Sequence, residues 1–225
     1  MRPTRMALVV TTALIASAAL AHEPPKNRLP TDALTKQWWQ LTLSIPSSVR
    51  SELRGTRAGC GLGQRGAVWF LASEPSDGGP ITQDCTIPLG RKLFLPLVTA
   101  VCTPFPGETL EQNIQICREA VDPFDKLALS IDGKNRNDLI ERRAQSRGFS
   151  AWFPEDNIFD TPGQFDVPEG VYINVAEGQF ALIEGLRVGR HVIHARASSS
   201  TDANVPKFDV IFNIRIVVPT SVTPR

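Results

Sequence analysis

Four cysteines, Cys60, Cys85, Cys102 and Cys117, follow an N-terminal segment that reads as an export signal, and these two features together constrain the fold more than any others. Arg2 and Arg5 precede an apolar run over residues 6–20, and the segment closes on Ala19-Leu20-Ala21. A basic start, a short apolar stretch and a small-x-small ending form the pattern of a cleaved secretory leader. The run is shorter than the roughly 20 residues that a membrane-spanning helix needs, so no transmembrane segment is expected. Cleavage after Ala21 would place the chain in the periplasm or the medium. In an oxidising compartment an even set of cysteines is read as disulfides rather than as thiolate metal ligands. Three pairings are open. The links between sequence neighbours close the modest loops, so Cys60 with Cys85 and Cys102 with Cys117 are the expected bridges. No C-x-x-C occurs, which argues against a thioredoxin-type pair or a zinc knuckle.

The chain has 225 residues, with 24 Lys and Arg against 23 Asp and Glu. Removing residues 1–21 takes away Arg2 and Arg5 and turns the formal charge from +1 to −1. Like charges form no long block, so a nucleic-acid partner is not expected. Residues 22–30 carry Pro24, Pro25 and Pro30 and read as an extended lead-in. Thr31 then caps a helix whose Leu34, Trp38, Leu41 and Ile45 share one face until Pro46 stops it. A second helix is capped by Thr109, with Leu110, Ile114, Cys117 and Val121 on its inner face.

Elsewhere short apolar runs alternate with turns. Residues 67–72, 92–101, 126–131, 149–153, 171–175, 179–183, 191–197 and 208–218 read as strands. Asp132-Gly133 is a hairpin turn signal, and Pro96 marks its segment as an edge strand or a broken one. Strands at regular spacing with two short helices predict a mainly β fold, an antiparallel β-sandwich of immunoglobulin-like or jelly-roll-like type, over residues 31–219, with 220–225 as a tail. The stretch 186–194 resembles the turn and rising strand that end many immunoglobulin-like domains, a likeness of fold that carries no function.

Gly61, Gly63 and Gly66 satisfy G-x-G-x-x-G, yet the strand at 67–72 follows them where a dinucleotide site needs a helix N-terminus. The expected reading is a glycine-rich turn held by Cys60. On that loop Gln64 and Trp69 are the candidate ligand-binding residues, since Gln64 offers both donor and acceptor. Trp39, beside the inward Trp38, is the candidate for a sugar-stacking platform.

The segment Cys60-Gly61-Leu62-Gly63-Gln64-Arg65-Gly66-Ala67-Val68-Trp69-Phe70-Leu71 is followed by Cys85-Thr86-Ile87-Pro88-Leu89-Gly90-Arg91-Lys92-Leu93-Phe94-Leu95-Pro96. With Trp38-Trp39 upstream and Gly189 to Ile193 near the end, these motifs resemble an exported bacterial protein family of unknown function. That family shows C-G-x-G-Q-x-G-x-V-W-F-L and C-T-x-P-x-G-K-x-L-F-x-P. Here Arg91 stands between the Gly and the Lys that the second pattern joins directly. The resemblance covers nearly the whole mature chain and implies export, with no activity attached.

No G-x-S-x-G, S-x-x-K or H-E-x-x-H occurs, and no catalytic residue is proposed from the sequence. His191 and His194 lie three apart on a strand, which sends them to opposite faces. Asp156, Asp160, Asp166 and Glu169 match no EF-hand and read as acidic turn residues. The expected function is that of a binding or structural module with no cofactor, its ligand and oligomeric state open. One alternative is a copper protein in which His22, exposed by cleavage, chelates through its α-amino group and imidazole, with His191 or His194 as a third nitrogen ligand. The other is a glycan-binding module. Expressed with its own leader in an exporting bacterium, the protein should yield N-terminal sequence beginning His22-Glu23-Pro24; recovery of the product in the cytoplasm with residues 1–21 attached would overturn the export reading.

Overall fold

The computed structural model describes residues 31–72, 80–104, 106–160, 167–205 and 207–219. The leader, the lead-in with His22, Asp166 and the tail at 220–225 lie outside the described residues. In chain order the elements are helices α1 (Thr31–Leu43), α2 (Ser47–Glu52) and α3 (Arg57–Gly61), then strands β1 (Val68–Phe70), β2 (Ile81–Pro88) and β3 (Lys92–Cys102). Helix α4 (Leu110–Val121) follows, then β4 (Lys126–Ile131), β5 (Lys134–Asn135), β6 (Ala144–Gln145) and β7 (Phe149–Phe153). The chain ends with β8 (Gly170–Ile183), β9 (Gly189–Ser198) and β10 (Phe208–Val217).

These strands form two mixed sheets. One runs β1-β3-β8-β6, with β7 also on β8, and the other runs β2-β10-β9-β4-β5. The protein is mainly β, as expected, but the antiparallel expectation needs correction: β1 lies parallel to β3, and β2 lies parallel to β10 along eight residues. The expected strands at 171–175 and 179–183 are one element, β8, running through Gly178. Among the described residues four α-helices stand where two were expected, because α2 and α3 are too short to show a helical period.

The first sheet is buried on both faces. Leu93, Leu95 and Leu97 of β3 enter a core shared with Ile193 and Ala195 of β9, Phe212 and Ile214 of β10, and Cys85 and Ile87 of β2. Phe94 points the other way and packs with Phe70, Phe180, Trp38 and Leu34 under α1. Phe94 and Phe180 stack with ring centroids 4.9 Å apart. A strand covered on both sides needs no polar alternation, which accounts for the unbroken apolar run Leu93-Phe94-Leu95.

Pro96 lies in this inner strand, and two features accommodate it. Strand β1 ends opposite Phe94, so no neighbour on that side needs the missing N–H. The register with β8 also shifts between Pro96 and Val98, a bulge that absorbs the local misfit. The strand itself runs unbroken from Lys92 to Cys102, so of the two expectations for Pro96 the edge is the one realised, locally, beyond the end of β1.

Cys60 bridges Cys85, tying α3 to β2, and Cys102 bridges Cys117, tying the end of β3 to α4. Helix α4 opens with a full capping box: Thr109 Oγ1 accepts from Gln112 N, and Gln112 Oε1 accepts from Thr109 N. Among the described residues no helix is long and apolar enough to cross a membrane.

Gly178 sits where β8 passes closest to β3. A Cβ there would lie 2.5 Å from the Val98 carbonyl oxygen and 2.8 Å from Thr99 Cβ. Gly178→Ala is expected to destabilise the protein by about 1–3 kcal/mol through forced separation of the two strands, read as a lower urea midpoint. An unchanged midpoint would show that the strands can part without cost.

Candidate functional site

The glycine loop is a structural knot. Gly61 ends α3, while Gly63 and Gly66 adopt φ of +66° and +73°. Strand β1 follows directly, so no helix N-terminus faces the loop. Gln64 Nε2 donates to the Phe70 carbonyl at 2.7 Å, and its Oε1 accepts from Phe70 N at 2.9 Å. The side-chain amide thus takes the place of a neighbouring strand along the open edge of β1. Gln83 does the same service for the α2–α3 link, accepting from Gly55 N at 3.2 Å and donating to the Thr56 carbonyl at 2.6 Å. Gln64 also lines a small cavity of about 70 Å³ with Thr42, Arg50, Arg54 and Phe70.

Trp69 packs against the core between the sheets, and its indole N–H is buried with no partner among the described residues. Trp38 and Trp39 meet edge to face, centroids 4.8 Å apart. The buried stripe of α1 is Leu34, Thr35, Trp38, Trp39, Thr42 and Leu43, turned from the expected Leu34-Trp38-Leu41-Ile45 line so that Trp39 joins the core. Trp39 Nε1 donates to Thr99 Oγ1 at 3.0 Å. A stacking platform requires a ring face open to solvent, and Trp39 is only 8% exposed, so it does not present one.

The two strand imidazoles are each held by a carboxylate. His194 Nε2 meets Asp209 Oδ1 at 2.5 Å on the outer side of β9. His191 lies on the inner side, with Nδ1 2.8 Å from Asp132 Oδ2 and Nε2 2.9 Å from the Arg187 carbonyl oxygen. Both partners are acceptors, so both contacts are hydrogen bonds only when the ring is doubly protonated. Burial pushes its pKa down, but the hydrogen bonds it donates to Asp132 and to the Arg187 carbonyl, with the Asp132 charge, together carry it above its ordinary value. Asp132 is held low chiefly by the same hydrogen bond to His191, helped by Val192 N. The ring therefore clamps the turn before β9 to the Asp132-Gly133 turn, where Asp132 takes a φ of +52°.

The acidic loop is likewise engaged in its own backbone. Asp156 accepts from Ser48 N at 2.7 Å, and Asp160 accepts from Asn157 N and Val167 N. Among the described residues no three His, Cys, Asp or Glu side chains converge as a metal set.

A second, larger cavity of about 280 Å³ opens where β3 and β8 part company. Strand β3 stops at Cys102, opposite Val175, whereas β8 continues to Gly170 alongside β7. The Cys102–Cys117 bridge holds α4 over the gap. The walls are Val101, Cys102, Pro104, Ile116, Phe153 and Tyr172, with Thr103, Pro106, Glu108, Asn113, Phe159 and Val167 completing them. Phe153 packs against Phe159 at 5.3 Å and Tyr172 at 4.6 Å, which makes one side aromatic. None of Gln64, Trp69, Trp39, His191 or His194 reaches this cavity. Sequence reasoning missed it because its residues span positions 101 to 172; the one signal was the expected Cys102–Cys117 loop.

No protein-family model matches the chain, and no curated protein matches it. One solved structure, titled "Solution Structure of Amebosin", aligns over 68% of this chain and 100% of that one at 10% identity, with a TM-score of 0.23. A likeness of that degree carries neither fold nor function across.

The His191 clamp has a pH signature. Because the folded-state pKa is raised, the stability it adds is fully present below the ordinary value near 6.5 and is lost as pH rises through the folded value. The melting temperature of His191→Gln should therefore lie below that of the unsubstituted protein at pH 6, with the gap closing by pH 9. A gap of equal size at both pH values would mean that the imidazolium form contributes nothing.

Proposed function

We propose that this is an exported, non-enzymatic binding protein whose two-sheet scaffold holds a small, mostly apolar ligand in the cavity between the end of β3, α4 and the Phe153, Phe159 and Tyr172 rings. The observation that carries this reading is the cavity itself. Ligand sites are concave, largely apolar and close to 300 Å³ or more, with a few polar groups for orientation. At about 280 Å³ the second cavity is of that class, whereas the 70 Å³ cavity by Gln64 has room for little beyond a few waters.

Other features agree. The leader pattern, the two disulfides and the resemblance to an exported bacterial family support a life outside the cytoplasm, in periplasm or medium. Two sheets sharing one core support a sandwich of immunoglobulin-like or jelly-roll-like type as the scaffold. The polar side chains that a catalytic reading would recruit, Gln64, His191, His194 and Asp160, are occupied by backbone groups or by the carboxylates of Asp132 and Asp209.

Fluorescence titration with N-phenyl-1-naphthylamine, an apolar dye, tests the proposal. Saturable binding is expected, and Ile116→Trp, at a rim residue that is 47% exposed, should weaken it about tenfold without lowering the melting temperature. Absence of saturable binding, or equal binding by Ile116→Trp and a control at the distant surface residue Val188, would overturn it.

A further inference from the structure

The outer face of the β7–β8 ribbon is apolar and uncovered. Strand β7 turns Phe149, Ala151 and Phe153 into the core under α1, so Ser150 and Trp152 point the other way. In the antiparallel register Trp152 stands opposite Val171 and Ser150 opposite Ile173. Trp152 is 48% exposed and Val171 67%, and Ile173 is exposed beside them. Leu110 of α4 lengthens the strip. A Cβ at Gly148 would lie 3.0 Å from Leu110 Cδ2 and 3.7 Å from Ile173 Cγ2, so both side chains border that bare glycine. Together the four apolar side chains leave roughly 400 Å² open, the size of the largest patch on an ordinary monomer and one that is often functional. Charge is sorted by sign along the strip. Arg147 precedes β7, at the Leu110 and Ile173 end, whereas Glu155 follows β7 and Glu169 precedes β8, at the Trp152 and Val171 end. All three are exposed, and among the described residues none forms an ion pair. Glu111, next to Leu110, lies about 100° further round α4 and sits in its first turn, where its charge meets the helix N-terminus.

We infer that two copies of this chain associate through this face about a two-fold axis, a conclusion that goes beyond the cavity reading and does not depend on it. Rotation about an axis through the middle of the strip lays Trp152 and Val171 of one copy against Ile173 and Leu110 of the other. The same rotation brings Arg147 to Glu155 and Glu169 at both ends of the contact. A face of one sign would repel its own copy, whereas this one meets its complement. A standard interface takes about 800 Å² from each partner, a little over half of it apolar, so the strip supplies the centre and the charged ends the rim. Two sheets can also join through their edges, but Gln40 Nε2 donates to the Ser150 carbonyl at 2.8 Å along the free edge of β7 and blunts it. A sugar stacked on Trp152 would need polar side chains beside the ring. On this face of β7 and β8 the neighbours are Val171, Ile173 and the lone hydroxyl of Ser150, which suit a second apolar face.

Sedimentation velocity of the oxidised protein over about 1–200 μM is the test, and a monomer–dimer equilibrium is expected. Trp152→Ser should weaken association at least tenfold, because a central aromatic carries much of the energy of such a contact. Arg147→Glu should weaken it about tenfold, and adding Glu155→Arg and Glu169→Arg to that variant should bring it back to within about threefold of the starting value. The rescue separates a lost charge pair from a misfolded chain, since a chain that fails to fold is not repaired by two further surface reversals. A monomer at every concentration would overturn the inference, whatever else then binds at Trp152. A dimer that Trp152→Ser leaves as tight as before, or a charge reversal that the added substitutions do not rescue, would overturn it too. Each of these outcomes leaves the cavity reading as it stands.

Discussion

The antiparallel pairing of β3 with β8 is the contact on which the rest of this fold depends, because it is covered from both sides and each cover needs the pair to be in register. Leu93, Leu95, Ala181 and Ile183 face the second sheet, while Phe94, Ala176 and Phe180 face α1. Burial of side chains of this size contributes about 1.5–3 kcal/mol each, so a slip by one residue would exchange two apolar sets at once. Directional bonds hold the register as well. Thr99 Oγ1 donates to the Glu177 carbonyl at 3.0 Å and accepts from Trp39 Nε1, so one hydroxyl links β3, β8 and α1. The bulge beyond Pro96 and the missing side chain at Gly178 let the two backbones come this close.

From that pair the position of α4 follows, and with it the cavity. Glu177 of β8 is 4% exposed and is the buried charged residue among the described ones. Arg143 Nε pairs with its Oε1, and Arg118 of α4 approaches its Oε2 at 4.0 Å. Arg143 also pairs with Asp122 and donates to the Arg118 carbonyl, so the guanidinium fastens the end of α4 to the sheet. A buried pair of this kind adds little net stability, but breaking it strands a charge, which makes other placements of the helix costly. The Cys102–Cys117 bridge fixes the helix a second time, further toward its start. Held at both places, α4 spans the point where β3 ends, and it cannot settle into the gap that β8 leaves open beyond Val175.

Much of this was legible in the sequence where the signal is local. The cap at Thr109, the inward Cys117 and Val121 of α4, the long strands β9 and β10 and the turn after Cys60 all follow from spacing and residue type, whereas Leu110, expected on the inner face, is exposed and Asn113 is buried instead. What was hidden is non-local. Strand β2 was not recognised because Gln83 points inward and Thr82 outward, which blurs the alternation; its inward amide makes sense only once the α2–α3 link lies beside it. Parallel pairing of β1 with β3 and of β2 with β10 depends on long connections that leave no local mark. Trp39, which the spacing puts beside the stripe, belongs to it because a helix face about one residue wider takes in the 35-39-43 line, and only the sheet beneath decides that width. The cavity could not be read at all, since Val101, Ile116, Phe153 and Tyr172 belong to four separate elements.

The residues that looked chemical in the sequence turn out to serve the backbone, and a physical reason lies behind the pattern. Short strands and tight links leave many N–H and C=O groups without regular partners, and a buried group of that sort costs about 1–3 kcal/mol if left unmet. Polar side chains of the loops supply the partners: Gln64 for Phe70, Gln83 for Gly55 and Thr56, Asp160 for Val167, Asn137 for Leu129. Each side chain so used is withdrawn from solvent and from ligand. Capacity for recognition is left where a strand ends and the side chains around it have given their hydrogens to near neighbours, as Thr103, Asn113 and Tyr172 have done. Such a site carries acceptors because carbonyl and carboxylate oxygens keep spare lone pairs after one bond, whereas a spent hydrogen cannot be offered twice. The electronic character of the cavity is thus a consequence of how the fold satisfies its own loops.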